Sequence, residues 1–460
     1  MRAPILYMCL FFQLLLYAQQ YGNDWINFAS SANDYYRFRL KDRGVYRISA
    51  SELSGAGVSL SQVNGANFQI FYRGVEIPLY TSTPGPLNSN DYLEFYADIN
   101  DGELDSVLYK DKDWQLHRYK SIFSDSSCFF LTWNNQTLNE RMQYVINDLT
   151  NLPSVEPSYK HIELIVYSNS YNPGKPFELA SASLPFNMSS FEEAEGYVGT
   201  SVNVSTQNIN VPFSYIDTGS IAPEFEICLA GKSNNLLNPD HHVVITVGTD
   251  TFDRTFDGYE ILRLNKNLDV NGLSSPSITV AVNPLGDLNA TDRVAVSYIK
   301  LTYDRQYMFD QEKEYLFNVY GDSSNRKFLK ITDFNDVNTA GLLYDLTNRL
   351  RIETQAFNNV TDVALPISEK ERTLFLTSEG NIKTVSGLKK VEFINFYDVN
   401  NQGDYIFITH PSLQDSSSGT NWVRAYADYR EQSGYTTQII NSEQLTDQFA
   451  YGDLYSPLGI

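Results

Sequence analysis

The chain has 460 residues, and its 55 acidic side chains outnumber 34 basic ones, giving a formal net charge of −21. Because binding to phosphates needs clustered Lys and Arg, this charge argues against a nucleic-acid partner. The length exceeds that of one ordinary core and predicts about three domains. The 32 Tyr and 27 Phe residues are typical of a mainly β protein.

The N-terminus has the pattern of a signal peptide. Arg2 precedes an apolar run from Ile5 to Tyr17, and Ala18 offers a cleavage point. A membrane anchor needs about 20 apolar residues, and this run is shorter. We therefore predict a signal peptide at 1–18, export to the medium or the outer cell surface, and no transmembrane segment once the signal is removed.

Residues 19–155 have the pattern of a β-rich pro- or accessory domain. Apolar residues alternate from Tyr36 to Ile48 on either side of the turn Asp42–Gly44, which predicts a hairpin. Ser49 followed by Glu52 predicts a capping box that opens one helical turn. A second hairpin is predicted across Arg73–Gly74, and further strands are predicted at 91–96 and 128–133.

The next 150 residues predict a β-sandwich of jelly-roll type over 156–310, because short apolar strands alternate with Asn, Gly, Pro and Ser clusters. In its last strand, 294–303, the apolar phase changes, so either both faces are buried or a bulge lies near Tyr298. Residues 311–400 are interpreted as a small β linking module.

After residue 400 the pattern changes to that of an α/β domain. The apolar run Asp404–Thr409 predicts a strand buried on both faces of a parallel sheet, and Pro411 ends it. Asn421 or Thr420 can cap a helix whose inner face would hold Trp422, Ala425, Tyr426 and Tyr429. A second strand at 435–440 completes a βαβ unit. We expect 401–460 to be the incomplete start of a larger domain, since two strands cannot cover both faces of a sheet.

Candidate chemical residues are few. Cys128 and Cys228 lie in apolar strands without a basic neighbour, which favours core packing over a nucleophilic role, although one disulfide between them is an alternative. His410 ends a predicted parallel strand, where α/β domains place ligands, but it has no recognisable Cys nucleophile. Adjacent strand residues such as His241 and His242 point to opposite faces and cannot bind one metal unaided. His117 and His161 are isolated. No catalytic, cofactor-binding or metal-binding residue is assigned.

Three acidic loops have the hard oxygen ligands that Ca²⁺ needs, although none has EF-hand spacing. Solvated turns are the competing interpretation, because Asp and Asn are ordinary turn formers. No cofactor is required, and Ca²⁺ is the one cation considered. The loops are Asp98-Asn100-Asp101-Glu103-Asp105, Asp333-Asn335-Asp336-Asn338 and Asp398-Asn400-Asn401-Asp404.

Three groups of motifs, in this order, resemble the gingipain-type cysteine peptidases, in particular their long secreted members similar to the type IX secretion sortase of Bacteroidetes. The first group is 43–48 (RGVYRI), 91–96 (DYLEFY) and 128–132 (CFFLT). The second is 298–305 (YIKLTYDR) and 343–347 (LYDLT). The third is 404–411 (DYIFITHP), 422–434 and 451–453 (YGD), which resembles the opening of the peptidase domain.

The resemblance implies a caspase-like α/β domain in which a Cys nucleophile and a His base cleave peptide bonds through a thioester. None of the positions in this chain matches either residue. The resulting expectation is an inert N-terminal portion of a secreted endopeptidase, with proteins or peptides as substrates of the whole protein. Its partners would be its own peptidase domain and type IX secretion components. The alternative is a cell-surface adhesion or glycan-binding protein in which the sandwich carries the function.

Overall fold

The structure is a computed structural model that describes residues 23–28, 34–135, 138–175, 190–219, 221–270, 273, 276–336, 339–357, 359–414 and 419–459. It is mainly β, with several separate sheets and a short α/β unit near residue 400, as predicted. The predicted signal peptide lies outside the described residues. Within the described ranges, none of the helices has the length and apolar character required to cross a bilayer.

The N-terminal elements are short. The first eight strands are β1 (Tyr35–Leu40), β2 (Gly44–Ser49), β3 (Phe68–Tyr72), β4 (Val75–Ile77), β5 (Tyr80–Thr81), β6 (Tyr92–Ala97), β7 (Ser127–Trp133) and β8 (Gln143–Val145). The helices are α1 (Ala50–Gly55), α2 (Trp422–Gln432) and α3 (Ser442–Phe449).

The middle of the chain supplies the longer strands. They are β9 (Tyr159–Val166), β10 (Ser170–Pro173), β11 (Glu195–Val198), β12 (Gln207–Pro212), β13 (Glu224–Gly231), β14 (His241–Val247), β15 (Asp250–Phe256), β16 (Ile261–Asn267), β17 (Ser277–Pro284) and β18 (Val294–Arg305). The later strands are β19 (Tyr315–Val319), β20 (Lys327–Thr332), β21 (Gly341–Asp345), β22 (Leu350–Glu353), β23 (Gln355–Phe357), β24 (Val360–Leu365), β25 (Arg372–Ser378), β26 (Lys383–Thr384), β27 (Lys389–Val391), β28 (Tyr405–Thr409) and β29 (Thr437–Asn441).

The N-terminal strands form two sheets that face each other across an apolar core. Their orders are β27-β1-β7-β3-β4 and β26-β2-β6-β5. The predicted hairpin between β1 and β2 is therefore wrong. Tyr36 pairs with Leu131 and Val45 pairs with Tyr96, so the turn at Asp42 carries the chain from one sheet to the other.

Two predictions from local sequence patterns agree better with the structure of this N-terminal part. The Arg73–Gly74 turn joins β3 and β4 as predicted, and both residues have positive φ. The Ser49 side chain caps α1 by accepting from the amide of Glu52. The predicted capping box is only half formed, because the Glu52 carboxylate accepts instead from the amides of Gly387 and Leu388.

A nine-stranded sheet of order β16-β13-β18-β9-β19-β25-β21-β22-β8 runs through the rest of the β-rich part. Its first half packs on the sheet β12-β17-β14-β15 as a sandwich, and its second half packs near β20-β24-β23. Both alternatives given for 294–303 hold: β18 is buried on both faces, and a bulge is present, since Cys228 pairs with Tyr298 but Leu229 pairs with Val296. This sheet takes strands from the segments predicted as 19–155, 156–310 and 311–400, and those boundaries stay predictions.

The described C-terminal residues form the predicted βαβ unit. β28 and β29 pair in parallel, and α2 crosses between them. Asn421 caps α2, as expected, by accepting from the amide of Arg424. The predicted inner face of α2 is wrong: Ala427 is buried, whereas Trp422 is 64% exposed. The helix is rotated so that Tyr426 alone of the predicted aromatic set contacts the rings of β28.

The sandwich encloses a charged histidine. Nδ1 of His241 lies 2.5 Å from Asp292 Oδ1, and Nε2 lies 2.6 Å from the carbonyl oxygen of Gly258. Because both ring nitrogens face acceptors, the ring is an imidazolium with two donating N–H groups. Burial lowers the pKa of His241, but Asp292, together with the Gly258 carbonyl and Asp240, raises it by more, so the pKa lies above its ordinary value.

We expect this group to make stability depend on pH. With a folded pKa above the unfolded value, its contribution is complete below about pH 6.5 and is lost as pH rises through the folded pKa. Thermal unfolding of the wild type and His241→Gln at several pH values measures this contribution. The difference in melting temperature should narrow as pH rises, and a difference that widens would contradict the assignment.

Candidate functional site

The βαβ unit leads directly into α3, which contacts the outer face of the sheet β27-β1-β7-β3-β4. Along β1, Tyr36, Phe38 and Leu40 point into the core, whereas Arg37 and Arg39 point outward. This outer face is covered by α3 and the residues after it, and also by Trp25, Ile26 and Phe393, so that both faces of β1 and β7 are almost wholly buried. We call residues 442–453 the docking segment, because its contacts fix the α/β unit to the β-rich part.

A buried ion pair is the strongest polar contact of the docking segment. One terminal nitrogen of Arg37 lies 2.6 Å from each carboxylate oxygen of Asp447, and the two side chains are only 8% and 5% exposed. Burial opposes the charge of Arg37, but its acidic surroundings, Asp447 foremost, raise the pKa of Arg37 above its ordinary value. Burial also raises the pKa of Asp447, which Arg37 opposes. The pair joins residues that are 410 positions apart in the chain.

Backbone groups provide further contacts. Arg39 donates to the carbonyl oxygen of Gly452 at 3.0 Å. The amide of Gln448 donates to the carbonyl oxygen of Ile394 at 2.8 Å and accepts from its N–H at 3.1 Å. Because Gln448 is fully buried, this pairing fixes both the position and the orientation of α3.

Gly452 lies directly against Cys128 of β7. It has φ of +74°, and a Cβ atom there would meet the Sγ of Cys128 and lie 3.0 Å from its Cβ. We expect Gly452→Ala to destabilise the docked state through about 1–2 kcal/mol of backbone strain and a further ~1–3 kcal/mol of overpacking. Chemical denaturation measures the loss.

Gly387→Ala is the matched control for that change. Gly387 has φ of +75° but has nothing within 4 Å of an added Cβ. Gly387→Ala should therefore be destabilised by backbone strain alone, without the overpacking contribution. Equal losses in the two variants would show that the contact between Gly452 and Cys128 is not tight.

His410 lies at the carboxyl end of β28, as predicted, and caps a short turn. Its Nδ1 accepts from the amide of Ser412 at 3.2 Å, and its Nε2 lies 3.9 Å from Glu443 on α3. Glu443 also faces Lys389 at 3.3 Å and Arg37 at 3.9 Å. The structure gives His410 a capping role and brings no cysteine among these contacts.

Cys128 and Cys228 are both free and buried. Burial raises the pKa of each thiol to about 12. A nucleophile must be available as the thiolate, so neither residue is suited to catalysis. The prediction of buried core thiols is confirmed, and the alternative of a bridge between them is not.

The remaining histidines have separate partners. His242 lies between Asp287 and Asp253, each 2.8 Å from one ring nitrogen, while His241 points into the sandwich. Burial lowers the pKa of His117 to about 4 and also lowers that of His161. Across the described ranges, no three His, Cys, Asp or Glu side chains group closely enough to hold a metal ion.

The acidic loops have partners within the protein. In the first loop, Asp98 accepts from Arg43 at 2.8 Å and Asp101 faces Arg73 at 2.5 Å. Asp105 accepts from the amide of Ile122 at 2.9 Å. In the third loop, Asp404 accepts from the amide of Thr436 at 2.6 Å. Asn338 of the second loop lies outside the described residues.

Calcium binding stays a prediction for the three loops. A bound cation would stabilise the folded state by about 2.7 kcal/mol at one hundred times its dissociation constant. A site therefore predicts a higher melting temperature in millimolar Ca²⁺ that EDTA reverses. An unchanged melting temperature would remove the prediction.

Sequence reasoning missed the residues of the docking face. Arg37 and Arg39 occupy the polar positions of an alternating strand, which favours solvent exposure. A signal was nevertheless present in β7, where Cys128–Leu131 is a continuous apolar run. Such a run indicates burial on both faces and therefore a cover over the outer side of the sheet.

No protein-family model and no curated protein matches this sequence. Among solved structures, the chain is similar to dimeric latent PorU from Porphyromonas gingivalis, with a TM-score of 0.57 and 13% identity. The similarity covers 92% of this chain and 38% of the PorU chain. This likeness establishes a shared fold over nearly the whole chain, which spans well under half of PorU.

Other similarities are much weaker. The ANX1 ectodomain from Arabidopsis thaliana has a TM-score of 0.18 and 8% identity, covering 60% of this chain and 82% of its own. BuGH86 in complex with neoagarooctaose has a TM-score of 0.18 and 9% identity, covering 59% and 32%. Scores this low do not indicate a common fold.

Proposed function

We propose that this chain is the exported, β-rich front part of a gingipain-type cysteine endopeptidase, and that it holds and positions the start of the peptidase domain. The observation that carries the proposal is the docked βαβ unit. A parallel strand pair with a crossover helix is fixed to the β-rich part by the buried Arg37–Asp447 pair. The fold shared with latent PorU over 92% of this chain supports it.

In such a peptidase a thiolate attacks the substrate carbonyl, a histidine transfers protons, and backbone N–H groups stabilise the oxyanion. Rate depends on placing these groups within fractions of an ångström. The contribution of this chain is therefore positional. The Arg37–Asp447 pair holds α3, whose first turn lies beside the carboxyl end of β28, where α/β domains bind ligands.

The exposed faces of the βαβ unit agree with a larger α/β domain. Ile406 and Ile408 of β28 are about half exposed on the face opposite Phe407. Trp422 and Tyr429 are exposed on α2. Apolar surface of this kind in a soluble protein favours a cover, and further strands and helices of the peptidase domain would supply it.

The proposal includes location and partners. The mature protein would be exported to the medium or the outer surface, and the whole protein would cleave proteins or peptides. Processing of exported proteins in type IX secretion is the specific role that the resemblance of the sequence motifs implies. The immediate partner of this chain is its own peptidase domain.

A thiol-reactive peptide probe tests the proposal. The complete natural gene product should be labelled at a cysteine other than Cys128 and Cys228, and the labelling should be prevented by a competing peptide substrate. Residues 19–460 are the matched control and, when folded, should show no labelling that a competing peptide substrate prevents. Absence of labelling on the complete, folded protein would contradict the proposal.

A further inference from the structure

The docking segment ends in an unusual carboxyl group. Asp453 is 4% exposed, and its Oδ1 accepts from the amide of Asn100 at the long distance of 3.3 Å. Its other oxygen, Oδ2, is buried and has no hydrogen-bond partner within the described part of the chain. An ionised carboxylate held in this way would lack most of the hydrogen bonds that offset its burial.

The charged groups around Asp453 come from four elements and do not neutralise it. Asp105, in the loop after β6, is a buried acid of like charge. Arg73, in the β3–β4 turn, already donates to Asn100 at 3.0 Å and faces Asp101. Arg39 of β1 donates to Gly452, and the remaining neighbour, Cys128 of β7, lies under Gly452.

These surroundings favour the neutral form of the group. Burial, together with the charge of Asp105, raises the pKa of Asp453 to about 7, although Asn100 and the two arginines oppose the rise. The unfilled Oδ2 and the long Oδ1 contact lead to the same conclusion from geometry alone.

We propose that Asp453 is a proton-dependent latch: residues 450–453 stay docked over Cys128 while its carboxyl is protonated, and they open more often once it is ionised. The inference concerns the chain itself and does not depend on the proposed function. Within a peptidase it would make the grip on the α/β unit looser at neutral pH than at acidic pH.

The direction and window of the effect follow from proton linkage. When the segment opens, Asp453 returns to its ordinary pKa near 3.8, whereas in the docked state it keeps its proton up to about pH 7. The docked state therefore binds more protons, and docking weakens as pH rises between these two values. The open fraction can rise by at most about tenfold per pH unit, and it becomes level above about pH 7.

Cys128 reports the opening, because Gly452 covers its sulfur. The folded 460-residue chain is treated with 4,4′-dithiodipyridine, which reacts with thiols from acidic to neutral pH, and modified Cys128 and Cys228 are counted by peptide mass spectrometry. Rates are divided by those of the denatured chain at the same pH. Cys228 is the internal control, because it lies in β13 and its thiol contacts Leu116, away from the docking segment.

The corrected rate at Cys128 should rise at least tenfold between about pH 5 and about pH 7 and then level, while the rate at Cys228 stays flat. In Asp453→Asn the rise should disappear, because the amide cannot ionise. A flat profile in the wild type overturns the proposal, and this holds whether or not the variant folds. An equal rise in Asp453→Asn, or a parallel rise at Cys228, overturns it as well.

Discussion

Arg37→Met should weaken docking of the α/β unit by about 3–5 kcal/mol, because it leaves the carboxylate of Asp447 buried without its partner. The methionine keeps most of the apolar stem, so the loss measures the charge rather than the packing. Hydrogen exchange of residues 442–453 reports the change directly. Protection should fall there and stay unchanged in the sandwich strands β13 and β18.

Two further variants make this result specific. Lys41→Met removes an ion pair with Asp125 in which both side chains are mostly exposed, and it should have little effect. The double variant Arg37→Met/Asp447→Leu replaces the buried pair by apolar groups and should recover most of the lost protection. If Arg37→Met left the protection of residues 442–453 as unchanged as Lys41→Met does, the buried ion pair would not be what fixes the docking segment.

Glu94→Leu should destabilise the β-rich part by about 3–5 kcal/mol, because Glu94 neutralises a buried arginine. Its Oε1 accepts from Arg351 at 2.8 Å and from the hydroxyl of Tyr344 at 2.6 Å, and its Oε2 accepts from Arg47 at 2.7 Å. Glu94 is fully buried on β6, whereas Arg351 and Tyr344 belong to the nine-stranded sheet. The carboxylate therefore joins two sheets.

The control for Glu94 is Glu379→Leu, which removes the second, more exposed partner of Arg47. Urea denaturation should show a large shift in midpoint for Glu94→Leu and a small shift for Glu379→Leu. The same small shift in both variants would mean that the contact between the two sheets does not depend on this charge.

Features of the fold that are determined by nearby residues could be predicted from the sequence. The βαβ unit was readable because its signals lie within a few residues of the elements they define: Pro411 after β28, Asn421 before α2 and Gly434 after it. The bulge near Tyr298 was readable from a change of phase within one strand. Composition alone was enough for the mainly β class.

Strand partners and the docking face were not readable from such signals. The β1–β2 hairpin looked favoured because the two runs are adjacent, but β1 pairs with β7, about ninety residues later. Arg37 looked like a solvent-facing residue because nothing local shows that α3 covers it, 410 residues on. The prediction of the inner face of α2 was wrong for a similar reason. The pattern of aromatic residues did not show which side of the helix the parallel strand pair would cover.

The order and direction of strands around β28 and β29 in the complete natural gene product test the central claim most directly. An experimental structure of that protein should show the two strands parallel, docked through Arg37 and Asp447, and flanked by further strands of an α/β domain that bears a cysteine and a histidine at strand ends. Finding residues 405–441 as antiparallel strands that complete the preceding β-rich part would contradict the account.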